Sequence, residues 1–555
     1  MTMAATSREA AQMADELTWE PPGGGSWMLD TTHHGRRPVT PLAQSLMGEM
    51  VNGGFASMVE KYGLPLAELR FRFVNDCLYV RPVAVGEPEN PKGDPPLFVM
   101  KLLTRIHPTL RKRNKIAADA WAERRWRSDV DAWFGGEREA SIAANLAIQN
   151  IDPAALDDPQ LSAHLRAAID NMMRLGGEAG ATHGGDIIPV GDFMFHCATW
   201  GLDTAEAASL LQGASPASVE TERILQPVAA ALRTTDGPLT SVDDVRDLGP
   251  EVADAVDEWM RLHGHRVLWS DDFDAQTLAE RPDLQLAALL GTRLVDVASE
   301  VVPDPSPVRE RVPRDDRALF DELLSEARYG LRLRDDNVGV RWNWPAGLVR
   351  RAALEAGERF IAAGRVRERE DALLCDPGEL EAMLIGDGGP SLDEIDRRRA
   401  RRAAVLASEP PLLLGPEGGE PPIEAFPKPL RRATGAMFGL IEAMQGEATV
   451  EPLSGVGVGD ATYRGRAVIV DDVAEAIGRV EPGDVVVTTM TSPSWNSLLP
   501  MIGGLVVEEG GPMCHAAIVS REFGLPAVIG VTDAKRLVPD GAEVTVDPVQ
   551  GRVVV

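Results

Sequence analysis

The chain has 555 residues, too many for one hydrophobic core, so three or four units of roughly 100–200 residues are expected. Hydrophobic residues make up 44% and charged residues 25%, as in globular proteins. The 56 Lys and Arg against 85 Asp and Glu give a formal net charge of −29, which argues against nucleic acid and anionic membranes as partners.

The N-terminal segment, residues 1–25, has no apolar run and ends in prolines and glycines. It is predicted to be a flexible lead-in rather than a signal peptide. No later stretch approaches the roughly 18 apolar residues of a membrane span. The four cysteines include no C-x-x-C pair, which indicates free thiols in a reducing compartment. These features predict a cytoplasmic protein.

Residues 26–407 are predicted to form a mainly helical domain. Apolar residues recur at three- and four-residue steps in 252–263, as on one face of a helix, and a solvated helix is expected at 392–406. A strand-like segment at 72–80 interrupts this pattern. No histidine or cysteine cluster has the spacing of zinc ligands, so no metal site is expected.

Two basic clusters in this domain are candidates for binding a polar acceptor and its phosphate, because arginine binds phosphate oxygens with two parallel hydrogen bonds. The first lies on a predicted loop, and the second ends a predicted helix, where the alternative is that its cations only interact with the helix dipole. The candidates are His33, His34 and Arg37 in the first cluster, and His263, His265 and Arg266 in the second.

Residues 408–450 are predicted to be a linker with a hinge helix, because proline and glycine at this density disfavour regular structure up to residue 430. A short helix is expected at 433–444. From residue 451 the sequence pattern changes from helical periodicity to short β-branched segments separated by Gly, Pro or Asp. These predicted strands lie at 466–470, 484–488, 505–508, 527–529, 543–546 and 552–555. Residues 451–555 therefore predict a compact α/β domain, and the fold class is a multidomain protein with a mainly α-helical part before this domain.

His515 lies where a predicted strand passes through a glycine turn into a helix over 515–523. The start of a helix favours an anion and disfavours imidazolium, so a neutral histidine there is suited to accept a phosphoryl group. We predict His515 as the catalytic nucleophile. The predicted phosphate cradle comprises Gly510, Gly511, Cys514 and Ala516. The alternative is a helix-capping or core histidine.

Residues 508–530 resemble the mobile, swivelling domain of PEP-utilising enzymes, through Gly510-Gly-Pro-Met-Cys-His-Ala-Ala-Ile-Val-Ser-Arg-Glu-Phe-Gly-Leu-Pro-Ala-Val-Ile-Gly. The similarity extends over about 451–555. The resemblance implies that His515 carries the phosphate, since the motif histidine does so in this family. In many dikinases a threonine stands where this chain has Met513, so regulation through that hydroxyl is not expected.

More loosely, residues 25–385 resemble the acceptor-binding domain of rifampicin phosphotransferase, and the chain as a whole is similar to the phosphohistidine subunit of phenylphosphate synthase. No phosphate-binding loop of the G-x-x-x-x-G-K-[ST] type is present. The residues after His515 are too few for the PEP-binding barrel of roughly 250 residues, so PEP chemistry is not expected.

The resemblance implies a phosphotransferase of the dikinase type, acting as one subunit of a split enzyme. A separate ATP-grasp subunit would charge His515 from ATP with Mg²⁺, and no cofactor would bind tightly to this chain. The C-terminal domain would swing to deliver the phosphoryl group to a small-molecule hydroxyl. The alternatives are a non-catalytic phosphocarrier or regulator, and a self-sufficient kinase with an unrecognised ATP site.

Overall fold

The structure is a computed structural model of the chain. It describes residues 13–14, 16–31, 36–88, 97–235, 237–268, 272–294, 303–386, 388–416, 423–446, 451–471, 473–491, Trp495, 498–499 and 501–555.

The larger part of the protein is a helical body. Its helices are α1 (Pro41–Tyr62), α2 (Leu97–Ile106), α3 (Pro108–Glu123), α4 (Arg125–Ala132), α5 (Arg138–Gln149), α6 (Asp158–Thr182), α7 (Gly184–Thr199), α8 (Thr204–Ser209), α9 (Glu220–Ile224), α10 (Gln226–Thr234), α11 (Val242–Arg246), α12 (Pro250–His263), α13 (Pro282–Gly291), α14 (Ser306–Arg311), α15 (Arg317–Val338), α16 (Trp344–Ala362), α17 (Pro377–Ile385), α18 (Leu392–Leu406) and α19 (Lys428–Gln445). Many begin with a proline in the first turn, where its missing N–H costs nothing. The helices expected at 252–263 and 392–406 are present as α12 and α18.

A four-stranded sheet lies beside the helical body. Its strands are β1 (Trp27–Leu29), β2 (Leu66–Val74), β3 (Cys77–Ala84) and β4 (Leu413–Leu414), in the order β2-β3-β1-β4. The strand-like segment at 72–80 is part of a hairpin that turns at Asn75 and Asp76, both with positive φ. β4 belongs to the Pro/Gly-rich segment and pairs with β1. Residues 413–414 are therefore hydrogen-bonded to the start of the chain.

Helix α7 packs against both α15 and α19 in the centre of the body, and glycines at the crossings allow the backbones to approach closely. A Cβ on Gly191 would lie 1.7 Å from the Ala436 carbonyl oxygen of α19. A Cβ on Gly330 of α15 would lie 2.4 Å from Cγ of Pro189. Helix α19, which contains the predicted hinge helix, is thus built into the body. None of the helices that the structure describes is both long and apolar enough to cross a membrane.

The C-terminal part is a mixed seven-stranded sheet with helices on its faces. Its strands are β5 (Val456–Val458), β6 (Tyr463–Ile469), β7 (Val485–Thr488), β8 (Gly504–Val507), β9 (Ala527–Ile529), β10 (Glu543–Asp547) and β11 (Arg552–Val554), and its helices are α20 (Val473–Arg479), α21 (His515–Phe523) and α22 (Ala534–Leu537). The strands follow the order β11-β10-β6-β7-β8-β9-β5, and β6 to β9 run parallel. A mainly helical part followed by an α/β domain is confirmed.

Candidate functional site

His515 is the first residue of α21, directly after the loop that leaves β8. Gly510 in this loop has φ of +125°, and a Cβ there would lie 2.8 Å from Sγ of Cys514. Arg521, one turn from the end of α21, donates from Nη1 to the Pro512 carbonyl at 2.7 Å and ties the loop to its helix. The sequence therefore holds His515 at the carboxyl end of a parallel strand, the edge at which α/β sheets bind ligands.

Thr491 fixes the orientation of the His515 ring. Its Oγ1 lies 2.9 Å from Nδ1 of His515. Thr491 follows β7, and β7 and β8 are parallel neighbours, so their carboxyl ends bring the two side chains together. When Nδ1–H donates to Thr491, the Nε2 lone pair is available as a nucleophile. Nε2 is buried and has no hydrogen-bond partner among the described residues.

Arg334, on α15 of the helical body, faces His515 from the other side of the interface. Burial and the positive charge of Arg334 lower the pKa of His515 to about 3. Nη2 of Arg334 donates to Sδ of Met444 at 3.2 Å, and Nη1 is buried without a hydrogen-bond partner in the described part of the chain. A neutral imidazole with a free nitrogen thus lies near a guanidinium with a free N–H. This arrangement can hold a phosphoryl group between a nucleophile and a fixed positive charge.

The loop before His515 is docked on the C-terminal end of α19. The Gly511 N–H donates to the Met444 carbonyl at 2.7 Å, and the Met513 N–H donates to the Ala443 carbonyl at 2.8 Å. The Met513 side chain is 1% exposed and packs among residues of the helical body. His515 is therefore presented to the body rather than to solvent.

Three more contacts join the two parts around this loop. The Gln212 side chain donates to the Arg521 carbonyl at 2.6 Å, and the Gly213 N–H donates to Glu522 at 2.9 Å. Arg36 pairs with Glu509 at 3.1 Å, next to the glycine turn. The interface is thus polar at its rim and apolar at Met513.

The residues predicted as a phosphate cradle lie in the loop before His515 and in the first turn of α21, but they differ in what they contact. Gly511 donates its N–H to α19, as described above. Cys514 precedes the first turn of α21, and burial raises the pKa of its thiol. Ala516 is buried beneath the start of the helix. Their role in binding phosphate stays a prediction.

The first predicted acceptor cluster is only partly described. His33 and His34 lie outside the described residues. Arg37 is turned away from the glycine loop toward Asp274, at 3.7 Å. Its neighbour Arg36, which the sequence did not single out, makes the contact with Glu509. The predicted loop therefore reaches the C-terminal domain, but through a different arginine.

The second cluster lies in a buried ion network of the helical body. Nε2 of His263 is 3.7 Å from Glu220, and burial together with Arg266 and Arg138 lowers the pKa of His263. Burial lowers the pKa of His265 to about 4. Arg266 donates to the Leu262 carbonyl at 3.0 Å. These contacts indicate an internal packing role, and an acceptor-binding role for the cluster stays a prediction.

Sequence reasoning missed Arg334 and Thr491. Thr491 lies within the segment that resembles the mobile domain, so its position could have been noticed. Arg334 shares α15 with other arginines, and no local pattern separates it from a solvated side chain. Within the described residues, no group of three or more His, Cys, Asp or Glu side chains is placed to hold a metal ion.

The family comparison bears on this domain directly. Residues 480–551 match the family model of the PEP-utilising enzyme, mobile domain. This confirms the resemblance predicted from the residues around His515.

The curated relatives extend the similarity into the helical body. The chain is 29% identical to a rifampicin phosphotransferase of Streptomyces sviceus over 333 residues, which are 55% of this chain and 34% of the relative. It is also 29% identical over 440 residues to an uncharacterized protein of Mycobacterium tuberculosis, covering 77% of this chain and 45% of the relative. A phosphoenolpyruvate synthase of Escherichia coli is 36% identical over 129 residues, 23% of this chain and 16% of the relative. The chain thus spans less than half the length of each of these relatives.

Proposed function

We propose that this protein carries a phosphoryl group on Nε2 of His515 and transfers it to a hydroxyl of a small molecule held by the helical body. The observation that carries the proposal is a pair of buried atoms at the interface, Nε2 of His515 and Nη1 of Arg334, that have no hydrogen-bond partner among the described residues. A phosphoryl group on Nε2 would satisfy both atoms at once, because its oxygens accept hydrogen bonds from a guanidinium.

The proposed transfer takes place in two chemical steps. In the first, the Nε2 lone pair attacks phosphorus and the P–O bond to the nucleotide leaving group breaks. In the second, the acceptor oxygen attacks phosphorus, the N–P bond breaks with its electrons returning to Nε2, and the hydroxyl proton leaves to solvent. A covalent intermediate of this kind splits one difficult transfer into two easier ones.

The nucleotide enters the proposal through a partner. A separate ATP-grasp protein would supply the phosphoryl group from ATP, with Mg²⁺ accompanying the nucleotide on that partner. The C-terminal domain would reach the partner by swinging away from the helical body. Because the relatives include rifampicin phosphotransferases, rifampicin is the first acceptor to test, followed by phenol and simple alcohols.

The nucleophile can be tested without the partner by using phosphoramidate, which phosphorylates reactive histidines directly. Wild-type protein should give an acid-labile, base-stable phosphohistidine that maps to His515 by mass spectrometry, and His515→Ala should give none there. His107→Gln, which alters a half-buried histidine at the start of α3, is the matched control and should be labelled normally.

Transfer is tested on the purified phosphoprotein. Addition of rifampicin or another hydroxyl compound should release the label from His515 into that compound. Arg334→Ala should slow this release at least tenfold, because the charge facing the phosphoryl group is lost. A His515→Ala protein that labels as well as wild type would refute the proposal.

A further inference from the structure

Met513 belongs by sequence to the C-terminal domain, yet its side chain packs in the core of the helical body. It shares an apolar cluster with Leu440 and Ala443 of α19 and with Leu211 and Leu331. Its exposed fraction is 1%. Full burial of a methionine contributes one of the larger apolar terms that a single side chain can give to an interface.

The backbone N–H groups of Gly511 and Met513 cap α19. The last carbonyls of a helix lack partners within the helix. Here the Ala443 and Met444 carbonyls accept from the Met513 and Gly511 N–H groups, at 2.8 and 2.7 Å. The glycine loop therefore completes the C-terminal end of α19 while it is docked, and these carbonyls lose that partner when it leaves.

Two glycines make this approach possible. Gly446, directly after α19, has φ of +69°, and a Cβ there would lie 2.9 Å from Cα of Gly511. A Cβ on Gly511 would lie 2.4 Å from the Gly446 nitrogen. The contact thus has no room for a side chain at either glycine.

We propose that Met513 is a positioning residue, an apolar anchor that docks the loop on the end of α19 and so holds His515 facing Arg334. The Met513 side chain packs in the helical body, and the Gly511 and Met513 N–H groups cap α19. His515 lies two residues further along the chain, at the start of α21. Withdrawal of Met513 releases the domain. This contact forms between two parts of the same chain and needs neither nucleotide nor acceptor, so the inference is separate from the proposed transfer.

Docking can be measured through Cys514, which lies between Met513 and His515. The other cysteines, Cys77, Cys197 and Cys375, are fully buried and report on the integrity of the fold. Purified full-length protein is treated with a maleimide, and the labelling rate of each cysteine is followed by mass spectrometry. Met513→Thr should label at Cys514 at least tenfold faster than wild type, whereas Met513→Leu should stay within about twofold, since Leu conserves the apolar volume.

A second variant approaches the contact from the body. Gly446→Ala should also accelerate Cys514 labelling, because the added Cβ collides with Gly511. Gly201→Ala is the control for a substitution at positive φ: Gly201 also has φ of +69°, but no atom of the described residues lies within 4 Å of the added Cβ, so the collision is absent. Hydrogen exchange of the peptide 510–514 should rise in Met513→Thr and Gly446→Ala and in neither control.

Unchanged Cys514 labelling and unchanged exchange in Met513→Thr would overturn the anchor. If Met513→Thr also exposes the three buried cysteines, Gly446→Ala decides: faster labelling confined to Cys514 supports the anchor, and wild-type labelling overturns it. The assay contains no nucleotide and no acceptor, so its outcome is separate from the test of phosphoryl transfer.

Discussion

At the scale of single residues, His515 and Arg334 each keep one buried nitrogen that has no hydrogen-bond partner in the described part of the chain. The His515 ring is held through Nδ1 and left free at Nε2, and Arg334 is held through one nitrogen to a thioether, a weak acceptor. Burying such groups without partners costs free energy, which native proteins accept where a ligand or reaction will use them. The arrangement therefore points to an anion between the two side chains.

Thr491 offers a direct test of how the ring is oriented. Thr491→Ala removes the hydroxyl that accepts from Nδ1–H in the tautomer with a free Nε2, so a smaller fraction of rings would present that nitrogen. Loss of one neutral hydrogen bond, about 0.5–1.5 kcal/mol, should slow phosphorylation of His515 by phosphoramidate roughly three- to tenfold. Thr491→Ser keeps the hydroxyl and should react at the wild-type rate. Equal rates for the Ala and Ser variants would show that Thr491 does not set the tautomer.

At the scale of elements, the C-terminal domain follows closely from its sequence. The strand at 527–529 and the helix at 515–523 have the bounds that the pattern of β-branched runs and glycine stops predicts. β5, a three-residue Val-Gly-Val strand, was missed because its central glycine disfavours a strand. Helices α20 and α22 were missed because each has fewer than eight residues, and so short a run carries no periodicity.

Contacts between distant segments were less predictable. The pairing of Trp27 with Leu414 joins segments that lie almost four hundred residues apart, and nothing in a two-residue strand beside prolines and glycines signals it. The docking of Met513 on α19 was equally hidden, because the sequence suggests only a missing threonine at that position. In both cases the partner is chosen by tertiary packing rather than by local preference.

The close crossing of α7 and α19 gives a prediction about stability. Gly191→Ala would place a Cβ 1.7 Å from the Ala436 carbonyl oxygen, so the helices must separate. We expect a loss of about 1–3 kcal/mol in the free energy of unfolding, measured by chemical denaturation. Gly177→Ala is the control, because Gly177 lies inside α6 with nothing within 4 Å of the added Cβ. It should be neutral or stabilise by about 0.5–1 kcal/mol. Equal stability of the two variants would mean that the crossing is not tight.

At the scale of the whole molecule, a net charge of −29 opposes phosphate binding everywhere except where cations are gathered. The interface gathers three of them, since Arg36, Arg334 and Arg521 come from two parts of the chain and converge around the His515 loop. Burial at this interface lowers the pKa of Arg521 to about 10, which leaves it charged at neutral pH. Docking thus brings the Arg334 guanidinium of the helical body to the His515 loop of the C-terminal domain.

Docking also links the protonation of His515 to the position of the domain. The docked imidazole has a pKa of about 3, against an ordinary value of about 6.5. Undocking removes Arg334 and admits water, so the undocked ring should titrate closer to the ordinary value. Between these two values the undocked state binds more protons than the docked state. The contribution of His515 to docking is therefore fully present above about pH 6.5 and is lost as the pH falls toward about 3.

This coupling can be followed by nitrogen NMR of ring-labelled histidine, with the His515 signal assigned by its loss in His515→Gln. In wild-type protein the ring should stay neutral from about pH 8 down to about pH 5, because only the docked state is well populated. In Met513→Thr the same ring should titrate near its ordinary pKa, because the anchor no longer keeps it beside Arg334.

Burial raises the pKa of Glu222, beside Glu522, to about 7, so protonation of Glu222 opposes the effect of His515 on docking. The comparison should therefore be repeated in Glu222→Gln, where acid should release the domain more readily. A His515 ring that titrates near pH 6.5 in the wild type would show that the docked state does not dominate in solution.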